Sequence, residues 1–182
     1  MSEVVYRSCE DNPVILAVDV QYSENQAFVA GICFGDWSST DAEAEYTTTV
    51  EAVADYEPGR FFRREMPCIL ALLEEHRLRP ATLVIDGHVY LDGREKPGLG
   101  KHLFDTLNGQ VAVVGVAKKA FMGMSSEYKL LRGESLKPLY ITTTGDLNQA
   151  KQGVSDMAGK HRIPMLLKRA DQLCRELAKQ QR

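Results

Sequence analysis

Three short apolar runs, each carrying or closing on charged residues, constrain this chain most. Val14-Ile15-Leu16-Ala17-Val18-Asp19-Val20 is nearly continuous and rich in β-branched residues, and Asp19 is its one charge. Ala81-Thr82-Leu83-Val84-Ile85 runs into Asp86-Gly87-His88, and Val111-Ala112-Val113-Val114-Gly115-Val116-Ala117 ends on Lys118-Lys119. Apolar runs this short, without polar alternation, read as strands covered on both faces. Such strands belong to a parallel sheet between helices, and charges at their carboxyl ends fall where open α/β folds keep their sites.

The other segments fit around these strands. Gln26 to Phe34 and Glu45 to Val53 read as two further strands, the second alternating Tyr46, Thr48 and Val50 against Thr47, Thr49 and Glu51. The Asp/Ser/Thr-rich loop from Gly35 to Ala44 joins them, so the first part of the chain is a three-strand meander. Pro58-Gly59 is a turn, and a helix follows to about His76, with Phe61, Phe62, Ile69, Leu72 and Leu73 at helical spacing and a kink or short first turn expected at Pro67. A helix starts at Gly98, residues 121–136 are irregular, and Leu139 to Thr143 is an edge strand. Asp146 caps a helix to about Lys160, and a last helix from near Pro164 turns Leu167, Ala170, Cys174 and Leu177 inward. Residues 1–12 read as a loose leader to one domain spanning 1–182. The expected fold class is α/β: an RNase H-like mixed sheet, three antiparallel strands plus parallel ones, with flanking helices.

Composition excludes some functions. Hydrophobic content of 44% with 26% charged residues is ordinary for a globular protein, and no apolar run approaches the roughly 18 residues a membrane span needs. The first residues lack the basic-then-apolar layout of a signal peptide, which makes the cytoplasm the expected location, and a monomer is expected. Cys9, Cys33, Cys68 and Cys174 form no CxxC pair, so neither a zinc site nor a disulfide framework is indicated. A formal charge of −3 argues against general coating of nucleic acid, but it leaves room for a local basic patch.

Chemistry is concentrated in four acids. Glu65 lies four residues after Phe61 and four before Ile69, inside the apolar stripe of its helix, where a carboxylate is costly unless paired. Asp171 follows Leu167 by four and precedes Cys174 by three, so it too faces inward. With Asp19 and Asp86 these residues come from four separate elements and call for a shared counter-charge. Carboxylate oxygens without a His/Cys cluster favour Mg²⁺, with Mn²⁺ as the alternative. Cations held this way can activate water against a phosphodiester, with Lys118 or Lys119 neutralising the phosphate.

Several blocks together resemble the endonuclease V family of the RNase H-like superfamily. They are Ala17-Val18-Asp19-Val20-Gln21-Tyr22, Tyr56-Glu57-Pro58-Gly59-Arg60-Phe61-Phe62-Arg63-Arg64-Glu65-Met66-Pro67 and Val84-Ile85-Asp86-Gly87-His88, then Gly98-Leu99-Gly100-Lys101-His102, Val114-Gly115-Val116-Ala117-Lys118-Lys119, Arg162-Ile163-Pro164 and Arg169-Ala170-Asp171. The resemblance implies metal-dependent hydrolysis of the second phosphodiester 3′ to a deaminated base, inosine, in DNA or RNA. It implies that Asp19, Glu65 and Asp86 are the catalytic metal ligands and Asp171 a fourth, more variable one, with Lys118 near the scissile phosphate. Tyr56, Pro58 and Gly59 would form the wedge that enters the duplex, Gly59 and Gly87 would line the pocket for the extruded base, and His88 would orient a carboxylate or contact phosphate.

Departures from the family pattern carry expectations of their own. The wedge holds Asp55 and Glu57, which should repel phosphate. Val89 would add a branched side chain beside the base pocket, and Asp92 stands where relatives carry a second histidine. Lys129, Arg132 and Lys137 read as a solvated face, and Trp37 and Tyr90 as loop aromatics able to stack on bases. Two other functions fit the same residues: an RNase H-like nuclease of different lesion or structure specificity, and a catalytically weak nucleic-acid-binding module.

Overall fold

The computed structural model describes residues 14–181, and the expected leader at 1–12 lies outside them. Three antiparallel strands come first: β1 (Ile15–Ser23), β2 (Gln26–Phe34) and β3 (Ala44–Val50). Next are α1 (Phe62–Glu75), β4 (Thr82–Asp86), α2 (Leu99–Thr106) and β5 (Ala112–Ala117). A single 3₁₀ turn at Ser126–Tyr128 leads into the two-residue β6 (Lys129–Leu130), followed by β7 (Leu139–Thr143), α3 (Leu147–Asp156) and α4 (Met165–Gln180). The strands form one seven-stranded sheet in the order β3-β2-β1-β4-β5-β7-β6. β1, β4 and β5 run parallel to one another and the remaining pairings are antiparallel, which is the mixed sheet expected.

Each face of the sheet has its own core. Leu16, Val18, Leu83 and Ile85 pack with Cys68, Ile69, Leu72 and Leu73 of α1 and with Leu99 and Leu103 of α2. Ile15, Ala17, Val84, Val114 and Val116 pack on the opposite face with Ala150 and Val154 of α3 and Leu166 and Ala170 of α4. Side chains alternate along a strand, so Asp19 continues the Ile15–Ala17 row toward α4. Among the described residues no helix is long and apolar enough to cross a membrane.

Several details correct the sequence reading. Strand β3 stops at Val50 rather than Val53, because Ala52 takes a left-handed conformation with φ of 54°. β7 is not an edge strand, since β6 pairs along its outer side. As the apolar spacing beyond it requires, Pro67 lies inside α1 and the helix continues through it. α3 is capped by Asp146, which accepts from Gln149 N at 2.8 Å, but it ends at Asp156 rather than Lys160. At its last turn and beyond, Arg132 takes the chain's carbonyls: its guanidinium donates to those of Val154, Met157, Ala158, Gly159 and His161. Arg132 is only 6% exposed, so it belongs to a buried staple and not to the solvated face expected of it. The inward row of α4 is Leu166, Ala170, Cys174 and Ala178, displaced by one residue from the expected row at Leu167 and Leu177.

Candidate metal and nucleic-acid site

The parallel register brings the acids of β1 and β4 to one edge of the sheet. Val18 pairs with Ile85, so Asp19 and Asp86 are the next residues along neighbouring strands. Asp86 pairs in turn with Val116 of β5, and Lys118 lies just past that strand's end. Asp171 approaches from α4, and its carboxylate comes within 4.8 Å of that of Asp19. A cavity of about 110 Å³ opens between them, lined by Asp19, Asp86, Lys118 and Asp171 over a floor that includes Val84 and Ile163. Glu65, in the first turn of α1, approaches from the other face and is 5% exposed.

Counter-charges are distributed unevenly among these acids. Lys118 Nζ lies 3.6 Å from Asp86 Oδ2, and Arg175 Nε lies 2.7 Å from Asp171 Oδ1. Asp19 and Glu65 have no ion-pair partner within 4 Å among the described residues. Burial, reinforced by the negative Asp86 and Asp171, lifts the Asp19 carboxyl to about 6. Glu65 is held well above the ordinary glutamate range, first by burial and then by Asp19 and Asp86, with Arg64 offsetting only part of this. Hard oxygen donors that repel one another beside an open cavity suit a divalent cation of the Mg²⁺ type. Asp19 and Asp171 therefore fit the metal that the sequence implies, while Asp86 and Glu65 stand outside the group whose ligand atoms all lie within 4.8 Å of one another.

Sequence reasoning missed Cys174. Its Sγ lies within 4.8 Å of the Asp19 and Asp171 oxygens and is a possible soft ligand by distance alone. Burial, then Asp19 and Asp171, push its thiol up to about 12, and Sγ donates to the Asp171 carbonyl at 3.2 Å. A protonated thiol already hydrogen-bonded to its own helix favours the oxygen set as the ligands. The signal was available, since Cys174 follows Asp171 by three on one helix face. Tyr22 was missed as a side chain too: Arg64 stacks over its ring at 3.9 Å.

The remaining predicted site residues lie ahead of α1 and just past the end of β4. Tyr56, Pro58 and Gly59 form an exposed turn ahead of α1, with Tyr56 59% exposed and tilted against Phe61 at 6.4 Å. Gly59 and Gly87 have φ of 76° and 148°, and among the described residues nothing lies within 4 Å of where a Cβ would project from either. His88 Nε2 meets the Lys119 carbonyl at 3.1 Å, and because a carbonyl only accepts, Nε2 carries the proton.

Several of the remaining singled-out residues are held by their own surroundings. Glu57 lies 3.7 Å from both Arg60 and Arg63, so its charge is compensated within the turn. Val89 is fully buried against Gly100, inside the core. The Asp92 carboxylate accepts from the amides of Arg94, Glu95 and Lys96, which holds its carboxyl down at about 2 and ties it to its own loop. Trp37 packs over Gly153 and Tyr90 packs against the α1–α2 core, so neither is a free stacking platform.

The sequence model described as Endonuclease V matches residues 2–145. The chain belongs to the endonuclease V family. It is 31% identical to the endonuclease V of Streptomyces avermitilis over 91% of this chain and 81% of the relative. The crystal structure of that organism's endonuclease V superposes with a TM-score of 0.75 at 26% identity, covering 93% of this chain and 86% of the other. Human ENDOV shares the fold, with a TM-score of 0.77 at 22% identity over 94% and 87% of the two chains. Membership of the endonuclease V family makes the chain a hydrolase of the RNase H-like fold, and it implies inosine-directed endonuclease activity on nucleic acid.

Proposed function

We infer that this chain, acting as one domain, cleaves inosine-containing DNA or RNA on the 3′ side of the lesion, at the second phosphodiester. In this reading Asp19, Glu65, Asp86 and Asp171 hold Mg²⁺, with Mn²⁺ able to replace it. The observation that carries the reading is the convergence of Asp19, Asp86 and Asp171 on a cavity with room for a cation, with the buried Glu65 near enough for Asp19 and Asp86 to raise its carboxyl. Bound there, the cation supplies Lewis-acid activation of water and neutralises charge on the leaving oxygen.

The chain's own groups supply the rest. Lys118 presents a positive charge at the mouth of the cavity, where it can neutralise the scissile phosphate. Tyr56, with Pro58 and Gly59, offers an exposed aromatic on a turn, suited to filling the gap left by an extruded base. Gly59 and Gly87 leave open space at backbone that must approach that base. His88 is held beside Asp86 and keeps a fixed tautomer through Lys119.

Incubating the protein with inosine-containing and matched control oligonucleotides, in Mg²⁺ or in EDTA, tests this. Cleavage restricted to inosine and abolished by EDTA is expected. Metal-dependent cutting of both oligonucleotides would instead favour a nuclease of different specificity, and binding without cutting would favour a nucleic-acid-binding module.

A further inference from the structure

Lys118 and Lys119 lie past the last residue of β5, where the ladder with β7 no longer holds them. The register pairs Ala117 with Tyr140, so two more steps would set Lys119 opposite Pro138. Proline has no N–H with which to continue that ladder. Two side chains from distant segments take over. One nitrogen of Arg162, Nη2, donates to the Lys118 carbonyl at 2.6 Å and to the Pro138 carbonyl at 2.8 Å, joining the end of β5 to the start of β7. His88 Nε2 donates to the next carbonyl, that of Lys119, at 3.1 Å. Two consecutive peptide groups immediately after the Lys118 side chain are thus held at their carbonyls, and the Lys118 Nζ stands 3.6 Å from Asp86 Oδ2.

Arg162 is itself held in place. The preceding loop is gathered by Arg132, whose guanidinium takes the carbonyls of Met157, Ala158, Gly159 and His161. Arg162 therefore follows a segment tied to Arg132, two residues before the Pro164 cap of α4, the helix that carries Asp171. The Arg162 contact links that helix's start to the lysine across the cavity.

We propose that Arg162, assisted by His88, is a positioning residue for Lys118: together they fix the Lys118–Lys119 peptides so that the ammonium stands beside Asp86 at the cavity mouth. The proposal rests on the nuclease reading above. Neither residue touches the reacting phosphate in this scheme. An ammonium on an unsupported strand end would sample positions more than 1 Å away, and misplacement of that size lowers rates by up to about a hundredfold.

The test uses the full chain and reads both activity and backbone motion. Single-turnover cleavage of an inosine oligonucleotide in Mg²⁺ is measured for wild type, Arg162→Ala, Lys118→Met and the double variant. Arg162→Ala should lose on the order of ten- to a hundredfold in rate, while its affinity for the oligonucleotide in EDTA changes less than about twofold. The double variant should be no slower than Lys118→Met alone, because the two residues act through one ammonium. Millimolar guanidinium should restore part of the rate to Arg162→Ala and none to Lys118→Met.

Without nucleic acid or metal, hydrogen exchange at residues 118–121 should be faster in Arg162→Ala, and in His88→Ala at the Lys119 side. Multiplying losses in the double variant, a wild-type rate for Arg162→Ala, or unchanged exchange at 118–121 would each overturn the proposal. Should Arg162→Ala not fold, Arg162→Lys and His88→Ala are carried through the same cycle with the same criteria. A wild-type protein that does not cut inosine would refute the nuclease reading, while the exchange data would still decide whether Arg162 and His88 fix these peptides.

Discussion

Asp19 and Asp171 hold their carboxylate oxygens within 4.8 Å of each other although they come from the first strand and the last helix. Arg175 compensates Asp171 directly, whereas Asp19 has no such partner and burial lifts its carboxyl to about 6. A carboxyl whose folded value lies above its unfolded value binds its proton more tightly in the native state. Its contribution to stability is therefore complete below the unfolded value of 3.8 and falls as pH rises through 6. Asp19's share of that loss is roughly 3 kcal/mol. In EDTA, the stability difference between wild type and Asp19→Asn should thus open between pH 4 and 7, with the variant the more stable at neutral pH. Mg²⁺ should raise the melting temperature of wild type at pH 7.5 and leave Asp19→Asn nearly unchanged. Equal responses to Mg²⁺ would remove Asp19 from the ligand set.

Asp86 is the most exposed of the four acids, and its lysine partner stands at 3.6 Å with half its side chain in water. An ion pair of that kind contributes at most about 1 kcal/mol to stability. Asp86→Asn should accordingly melt within a few degrees of wild type and bind an inosine oligonucleotide with similar affinity. Its cleavage rate should fall by three orders of magnitude or more, on the scale of losing a metal ligand and its transition-state charge. Rapid-quench cleavage beside a binding isotherm checks both halves, and cutting at near-normal rate would remove Asp86 from the mechanism.

The wedge turn gives a prediction about salt. Glu57 lies 3.7 Å from Arg60 and Arg63, so the turn carries less free positive charge than its arginines suggest. Glu57→Gln should release both guanidiniums to phosphate, tightening binding several-fold at low salt and steepening the dependence of log affinity on log salt by up to about one unit. Binding titrations at several KCl concentrations measure this directly. An unchanged slope would mean that these arginines never meet the nucleic acid.

The residues that were legible in the sequence are those whose environment is local. Asp19, Asp86 and Lys118 stand in or just past short apolar runs, and a parallel register is enough to bring such positions to one edge. Arg132 could not be read the same way, because its burial depends on carbonyls from residues 154–161, which no pattern around position 132 reveals. The position of β7 inside the sheet depends on β6, two residues too short to show any period. Val89 looked like pocket lining beside Asp86-Gly87-His88, yet Gly100 leaves a recess that draws it into the core, where a Cβ on that glycine would come within 2.6 Å of Val89 Cγ2. Cys174 is an ordinary core residue by composition, and only the close approach of α4 to β1 places its sulfur beside the carboxylates.

Gly115 controls how closely the Asp86-Gly87-His88 turn can sit against β5. A Cβ there would lie 2.5 Å from the Gly87 carbonyl oxygen, 2.7 Å from Thr142 Oγ1 and 3.0 Å from Val89 N. Two of those atoms already bond each other, since Val89 N donates to Thr142 Oγ1 at 2.8 Å. Gly115→Ala must push this turn outward or break that bond, a strain of about 1 to 3 kcal/mol. Asp86 precedes the displaced residues and Gly87 belongs to them, so the site should suffer more than the fold. A melting temperature lowered by several degrees is expected, with inosine cleavage reduced at least tenfold at a temperature where the variant remains folded. Thermal melts paired with single-turnover assays decide the matter: a variant that loses stability but cuts at the wild-type rate would show that the turn's seating on β5 is irrelevant to catalysis.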